Sequence, residues 1–269
     1  MPIRLAINGA AGRMGQRLIA LAAADKDLQV VAAWDRPEHP QEGVDSGTLA
    51  GAGANGIPLA SVSGANSASM PIDVAIDFSI PTGAIAALKT CGTAGIPLVI
   101  ATTGLEPEQQ AIIRNAAKSQ AILWAPSMSL AVNLAMKLTA VASSALKDHP
   151  SGADVEIIER HHRFKEDSPS GTALKFGQII ADIMGQSAAV HGREGRPGAR
   201  PHGEIGYHAV RVGDNPGEHT IIFGLLGETL EINVKATNRD CYAHGALAAA
   251  KFLVGKPAGL YNMNDVLSI

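Results

Sequence analysis

The residues best suited to chemistry crowd into one stretch, Glu156-Ile-Ile-Glu-Arg-His-His-Arg-Phe-Lys-Glu-Asp-Ser-Pro-Ser-Gly-Thr-Ala173. It holds His161, His162, Lys165 and a Ser170-Gly171-Thr172 turn, directly after an apolar, strand-like run. No other stretch concentrates as many proton-transfer and anion-binding groups. Successive side chains of an extended backbone point to opposite faces, so His161 and His162 need different jobs. Histidine titrates near neutral pH and suits proton donation. Lys165 can orient a carboxylate or supply a proton. Ser170-Gly171-Thr172 opens a helix whose free N–H groups make an anion seat. A proton donor, a cation and an anion seat together suit a small carboxylate substrate. Blander readings also fit the spacing: a polar surface patch, a metal site, or Ser170 as a plain helix cap. No Cys or carboxylate stands at zinc-like spacing, so no metal is expected.

A second pattern lies near the start of the chain. Ile3 to Asn8 reads as a buried strand and leads into Gly9-Ala10-Ala11-Gly12-Arg13-Met14-Gly15. Arg13 to Ala24 reads as a helix with Met14, Leu18, Leu21 and Ala22 on one face. Val30 to Trp34 is a second strand, closed by Asp35 and Arg36. Glycine permits the tight bend, lets the backbone approach a pyrophosphate, and leaves the first helical N–H groups free for the anion. Asp35 follows Gly15 at the interval expected of an acid that holds a ribose hydroxyl pair. The spacing is G-x-x-G-x-x-G, not the stricter G-x-G-x-x-G, and only its strand–turn–helix setting makes it a dinucleotide site. Arg36 stands where it could meet a 2′-phosphate, so NADH and NADPH both remain open.

These residues must be positioned by two different kinds of domain. Strand and helix alternate up to Met128, with strands at 72–78, 97–101 and 121–125 and helices from 79 and from 106, Pro107 standing in the first turn of the latter. That alternation predicts a Rossmann-like, doubly wound parallel sheet. Ligands bind such sheets beyond the carboxyl ends of the strands, which puts Thr102-Thr103 and Pro126-Ser127-Met128 on the cofactor side. Residues 37–70 read as mostly loop with short elements. After a long helix, Leu130 to Leu146, the strand before His161 begins, and a helix starts at Ser170. Residues 185–203 read as irregular. Extended runs at 204–212, 218–225 and 228–236 then follow one another through turns without helices between them, which predicts an α+β domain with an antiparallel or mixed sheet. A helix from Ala243 to Val254 is expected to return to the first domain. The division is 1–128 for a dinucleotide-binding domain, completed by 241–269, and 129–240 for substrate binding and oligomerisation.

Composition bounds the rest. With 269 residues, 46% hydrophobic and 17% charged, the chain can build packed cores. A net charge of −3 gives no reason to expect nucleic acid or an anionic membrane as partner. No apolar run is long enough to cross a bilayer and no leader is visible after Met1, so a cytoplasmic protein is expected. The two cysteines, Cys91 and Cys241, form neither a disulfide framework nor a metal set.

The 159–173 stretch closely resembles the signature of the 4-hydroxy-tetrahydrodipicolinate reductase (dihydrodipicolinate reductase) family of lysine and diaminopimelate biosynthesis. Gly9 to Gly15, Asp77-Phe-Ser, Ala101-Thr-Thr-Gly104, Gly217-Glu-His-Thr220 and Gly227-Glu-Thr-Leu-Glu231 are similar to further family segments in the same order. The resemblance covers nearly the whole chain. It implies a Rossmann domain for NADH or NADPH, a substrate domain whose sheets assemble a homotetramer, and closure between the two. It implies reduction of a cyclic dicarboxylate, 4-hydroxy-tetrahydrodipicolinate, to tetrahydrodipicolinate with release of water. By that resemblance His161 is the catalytic acid/base and Lys165 a second proton-transfer residue. His162, Ser170 and the Gly171-Thr172 backbone hold the substrate. Gly9 to Met14, Asp35, Arg36, Ala101, Thr102, Thr103 and Ala125 to Met128 contact the cofactor.

Two departures stand out: Ala101 replaces a usual family glycine, and Ser127-Met128 replaces a common Asn-Phe. Backbone contacts are expected to survive both, while side-chain contacts at Ser127 and Met128 stay open. Two alternatives remain: another two-domain NAD(P)-dependent reductase, such as an aspartate-semialdehyde or homoserine dehydrogenase, or a nucleotide-sensing protein without turnover. The aspartate-semialdehyde type requires a reactive cysteine, for which neither Cys91 nor Cys241 has a motif.

Overall fold

The computed structural model describes residues 1–62 and 71–269, and the chain divides into two compact units, Met1–Leu130 with Asp240–Ile269, and Ala131–Arg239. In the first, β1 (Ile3–Asn8), α1 (Arg13–Ala23), β2 (Leu28–Asp35), α2 (Ser46–Leu49), β3 (Leu59–Ser61), β4 (Val74–Asp77), α3 (Pro81–Ala94), β5 (Leu98–Ile100), α4 (Pro107–Ala116) and β6 (Ala121–Trp124) follow in order. Of the loop expected over 37–70, residues 63–70 lie outside the described residues. The chain continues through α5 (Leu130–Leu146), β7 (Asp154–His161), α6 (Gly171–Met184), β8 (Ala188–His191), β9 (Glu204–Arg211), β10 (Glu218–Leu225) and β11 (Glu228–Lys235). It then returns to the first unit with α7 (Asp240–Leu253), β12 (Gly259–Tyr261) and α8 (Met263–Leu267).

The first sheet has seven strands in the order β12-β6-β5-β4-β1-β2-β3, every pair parallel. Its strands are apolar on both faces because helices cover both. Leu5, Ile7 and Ile76 pack on one side with Leu18, Ile19 and Ala22 of α1 and Ala246, Ala250 and Leu253 of α7. Ala6, Ala75 and Ile100 pack on the other with Ala84, Leu88 and Cys91 of α3 and Ile113 of α4. The buried stripe of α1 runs through Gly15, Leu18, Ile19 and Ala22, with Met14 and Leu21 at its margins. The chain goes from β1 to β2 on one side and then crosses to β4 on the other, so the strand order reverses between β4 and β1.

The second unit holds a mixed sheet, β11-β10-β7-β9-β8. One face packs on α5 and α6 through Val155, Ile157, Ile221, Phe223, Ala135, Phe176 and Ile180. Phe176 and Phe223 are fully buried, and truncating either to alanine costs about 3–5 kcal/mol. The strict alternation of β7, with Val155, Ile157, Glu159 and His161 buried, carries two polar residues onto that covered face.

Two strands differ from the sequence expectation. β8 lies in the segment read as irregular, and β12 in the tail; each is short and joins a sheet edge through a parallel neighbour, the next strand for β8 and the sequence-distant β6 for β12. The turn after β9 also does not close a hairpin. β9 runs parallel to β7 and β10 antiparallel to it, on opposite sides. The connection therefore arches over the end of β7, where His162 N–H donates to Asn215 O at 2.8 Å and Arg163 N–H to Gly213 O at 3.0 Å. No helix among the described residues is long and apolar enough to cross a membrane.

Candidate active site

His161 is the last residue of β7 and is 8% exposed. Its Nδ1 donates to Glu159 Oε2 at 2.6 Å. Glu159 stands two residues earlier on the same face and is 1% exposed. Its carboxylate also accepts from Arg211, Nη1 to Oε2 and Nη2 to Oε1, both at 2.7 Å, and from Ser170 N–H at 3.0 Å. Strand register brings these groups together. Across the sheet Arg211 of β9 is the partner of His161, and His219 of β10 is the partner of Glu159. Because Nδ1–H is committed to Glu159, Nε2 is the nitrogen left for a substrate.

The electrostatics follow from burial and neighbours. Burial pulls the Glu159 carboxyl up, but the Arg211 and His161 hydrogen bonds outweigh it and hold the group below the usual carboxylate range. Burial lowers His161, Glu159 opposes that, and the positive charges of Lys165 and Arg211 add to the lowering. His219, 5.2 Å away ring to ring, is pushed down to about 4, chiefly by burial, and is therefore neutral at pH 7. Its Nε2 lies 2.9 Å from Ser170 Oγ. Gly217 closes the other side of His161. It has φ +147°, and a Cβ there would lie 2.8 Å from His161 Nε2, so a side chain would displace the ring.

The predicted substrate residues divide. Lys165 lies close enough to His161 to depress its protonation, and its Nζ pairs with Asp167 at 2.7 Å. His162 is half-buried just beyond the strand. Ser170 Oγ caps α6 by accepting from Ala173 N–H, and its own N–H donates to Glu159, which places it at the open start of that helix. Gly171 and Thr172 carry the open part of that helix start, with free space around Gly171. Glu159, Arg211 and His219 were not singled out by the sequence reading. Glu159 alone had a local signal, its two-residue spacing from His161.

The first unit contains a separate cleft of about 600 Å³ beyond the carboxyl ends of β1, β2 and β4. Gly9, Ala11, Gly12, Asp35 and Arg36 line it, together with His39, Phe78, Ser79, Ile80 and Thr82. Gly9 has φ +78°, and a Cβ there would lie 2.5 Å from Phe78 O, so only glycine makes this turn. The Gly12 cap of α1 makes no side-chain bond, and the first turn carries no acid. The Asp35 carboxylate accepts from Ala11 N–H at 3.0 Å and Arg36 N–H at 2.8 Å, leaving lone pairs for a ribose.

The other predicted cofactor residues stand off this wall. Ala10, Ala101 and Ala125 are buried, Arg13, Thr103 and Pro126 are exposed, and Met14 and Ser127 are intermediate. Met128 is 1% exposed and packs in the core of the first unit. Thr102 is buried and donates to Asp77 Oδ2 at 2.6 Å. Phe78 and Ser79 were missed as cleft residues, although they directly follow β4, next to the point where the strand order reverses.

Residues 3–128 match the family description "Dihydrodipicolinate reductase, N-terminus", and residues 131–267 match "Dihydrodipicolinate reductase, C-terminus". The chain belongs to the dihydrodipicolinate reductase family. A 4-hydroxy-tetrahydrodipicolinate reductase of Rhodopirellula baltica is 55% identical, covering 100% of this chain and 97% of the relative. One of Methylococcus capsulatus is 44% identical over 100% and 99% of the two chains. Among solved structures, a dipicolinate-bound dihydrodipicolinate reductase from Paenisporosarcina sp. TG-14 is 25% identical with a TM-score of 0.78, covering 98% of this chain and 99% of that one.

The N-terminal domain of a dihydrodipicolinate reductase implies a nicotinamide nucleotide. The uncapped helix start, the glycine turn and the acid at the end of β2 fit one. Family membership also sets aside the cysteine-dependent alternative. Burial pushes the Cys91 thiol up to about 12 and also raises that of Cys241, so neither is a ready nucleophile.

Proposed function

We propose that this chain reduces 4-hydroxy-tetrahydrodipicolinate to tetrahydrodipicolinate, with loss of water overall, using NADH or NADPH. The dinucleotide, held in the cleft by the Gly9–Gly12 turn and Asp35, supplies a hydride to a ring carbon of the cyclic dicarboxylate. The observation that carries the reading is His161, anchored at Nδ1 by buried Glu159 and with Nε2 left for substrate. Glu159 selects the tautomer and orientation of the ring and favours its protonated form, as a general acid requires. His161 then handles the proton that accompanies reduction. Lys165 draws in a carboxylate, and the Gly171–Thr172 N–H groups, at the open start of α6, seat it. His162, beyond the strand end, faces a different part of the substrate.

Arg36, on the cleft wall beside Asp35, supports acceptance of a 2′-phosphorylated cofactor as well as NADH. The open face of the second sheet, where Ile158 and Val210 are 39% and 41% exposed, supports assembly through that face into the homotetramer that family resemblance implies. A coupled assay tests the activity: substrate is generated by the preceding synthase, and cofactor oxidation is followed with NADH and with NADPH. Substrate-dependent oxidation is expected. Its absence with both cofactors, in folded protein, overturns the proposal. His161→Ala is expected to lower kcat while leaving cofactor affinity nearly unchanged.

A further inference from the structure

One guanidinium joins the two ends of the candidate site. Arg211 is the last residue of β9 and the register partner of His161, the last residue of β7. Register partners on neighbouring strands point to the same face, so Arg211 stands beside His161 and Glu159. Its two terminal nitrogens take both oxygens of the buried Glu159 carboxylate, each at 2.7 Å. Nη2 also donates to the backbone oxygen of Asp167 at 2.7 Å. The same fork therefore supports the carboxylate that anchors His161 and reaches the loop between β7 and α6.

That loop carries Lys165. Its beginning is pinned by His162 N–H on Asn215 O, and its end by Ser170 N–H on Glu159. Between these pins Lys165 Nζ pairs with Asp167 Oδ1 at 2.7 Å. The Asp167 side chain is 59% exposed, so this ion pair alone fixes little. The bond from Arg211 to Asp167 O is what ties the middle of the loop to the sheet. Support for Glu159 alone would need only a cation. A guanidinium has five N–H donors in a rigid plane, so it can hold a carboxylate with two of them and still reach a carbonyl.

We infer that Arg211 is a positioning residue that sets the spacing between the His161 ring and the Lys165 ammonium by bridging the Glu159 carboxylate and the Asp167 carbonyl. A substrate that meets both the proton donor and the cation must match that spacing. Loss of the bridge misplaces both groups at once. Every residue of the bridge belongs to the second unit, so dinucleotide affinity serves as the control for intact folding. The inference rests on the roles proposed for His161 and Lys165.

The test compares wild type, Arg211→Ala and Arg211→Lys in the coupled assay on the full chain, with NADH affinity and melting temperature recorded for each. Arg211→Ala is expected to lower kcat by about 10-fold to 100-fold, as a misplaced general acid would. It is also expected to raise KM for the dicarboxylate by about threefold to tenfold, a fraction of the effect of one lost charge-assisted bond. Millimolar guanidinium chloride is expected to restore part of that kcat with saturation, because the site is open enough to admit the ion. Arg211→Lys keeps a charge beside Glu159 but cannot span to Asp167 O, so kcat falls less than in the alanine variant while KM rises as much. The lysine variant carries the test if the alanine variant does not fold. Folded variants that bind NADH as wild type does, and keep kcat and KM, overturn the inference and leave Arg211 a structural tie. A fall in kcat with KM unmoved in both variants also overturns it, since Arg211 would then support Glu159 alone. A wild type without turnover overturns the proposed reaction and this inference with it.

Discussion

Glu159→Gln removes one negative charge from the His161 site while keeping the size of the side chain. The native carboxylate takes four donors on two oxygens: His161 Nδ1, both Arg211 terminal nitrogens and Ser170 N–H. A glutamine offers one oxygen and turns an NH2 toward the rest, so two of these contacts become donor against donor. Buried charge-assisted bonds contribute about 1.5–3 kcal/mol each, but Arg211 is 20% exposed and water recovers part of its share. A stability loss of about 2–4 kcal/mol follows. The rate effect has two sources. The ring loses its anchor, and His161, already lowered by burial, loses the interaction that opposes the lowering. Its folded-state value therefore moves further down, less imidazolium is present at pH 7, and the limb on which activity falls with rising pH shifts to lower pH. A kcat reduction of about 10-fold to 100-fold is expected, within what a positioned general acid contributes. The assay is a pH profile of kcat by cofactor oxidation, beside thermal melts by circular dichroism. A folded variant with unchanged kcat and an unmoved limb would refute this reasoning.

Gly217→Ala is expected to lower kcat strongly and to cost about 1–3 kcal/mol, since the methyl meets His161 Nε2 and the backbone is strained for an L residue; steady-state kinetics and a melt measure both. Asp35→Ala should weaken NADH more than NADPH, and equal loss by fluorescence titration would remove the ribose contact. Glu156, on the open face of the second sheet, is drawn down from 4.5 to about 2: burial acts against this, and the Arg193, His208 and Arg200 hydrogen bonds prevail. A depressed carboxyl stabilises the fold above its unfolded value and loses that contribution as pH falls through the folded one. Melting temperature should therefore drop between about pH 4.5 and 2, and Glu156→Gln should flatten the drop in that window.

The sequence disclosed what is local. The Gly9 turn, Asp35 at the end of β2 and the alternation that separates His161 from His162 are properties of neighbouring residues, and each stands where it was expected. What it hid is set by pairing across distance. Arg211 and His219 reach His161 and Glu159 only because β9 and β10 flank β7; Gly217-Glu-His-Thr220 resembles a family segment, but no local spacing gives either residue a role. Two turn-linked extended runs look like a hairpin, and the insertion of β7 between them is decided by long-range register. β8 and β12 are too short to show periodicity. β4, β5 and β6 are shorter than the runs that announced them because a strand buried on both faces has little alternation to mark its ends. Ser170 was legible as a cap, and its bonds to Ala173, Glu159 and His219 show that role.

The first unit draws part of its core from far along the chain. Ala246, Leu247, Ala250 and Leu253 of α7 fill the side of the parallel sheet that α1 also covers, and β12 pairs with β6. During synthesis residues 131–239 are made before these. The unit encoded second is thus the first that can close its core. The nascent N-terminal sheet waits with one apolar face incompletely covered, the state in which translating chains are most prone to aggregate. Truncation within α7 would for the same reason disable the cleft at Gly9 to Gly12, more than two hundred residues upstream by sequence number.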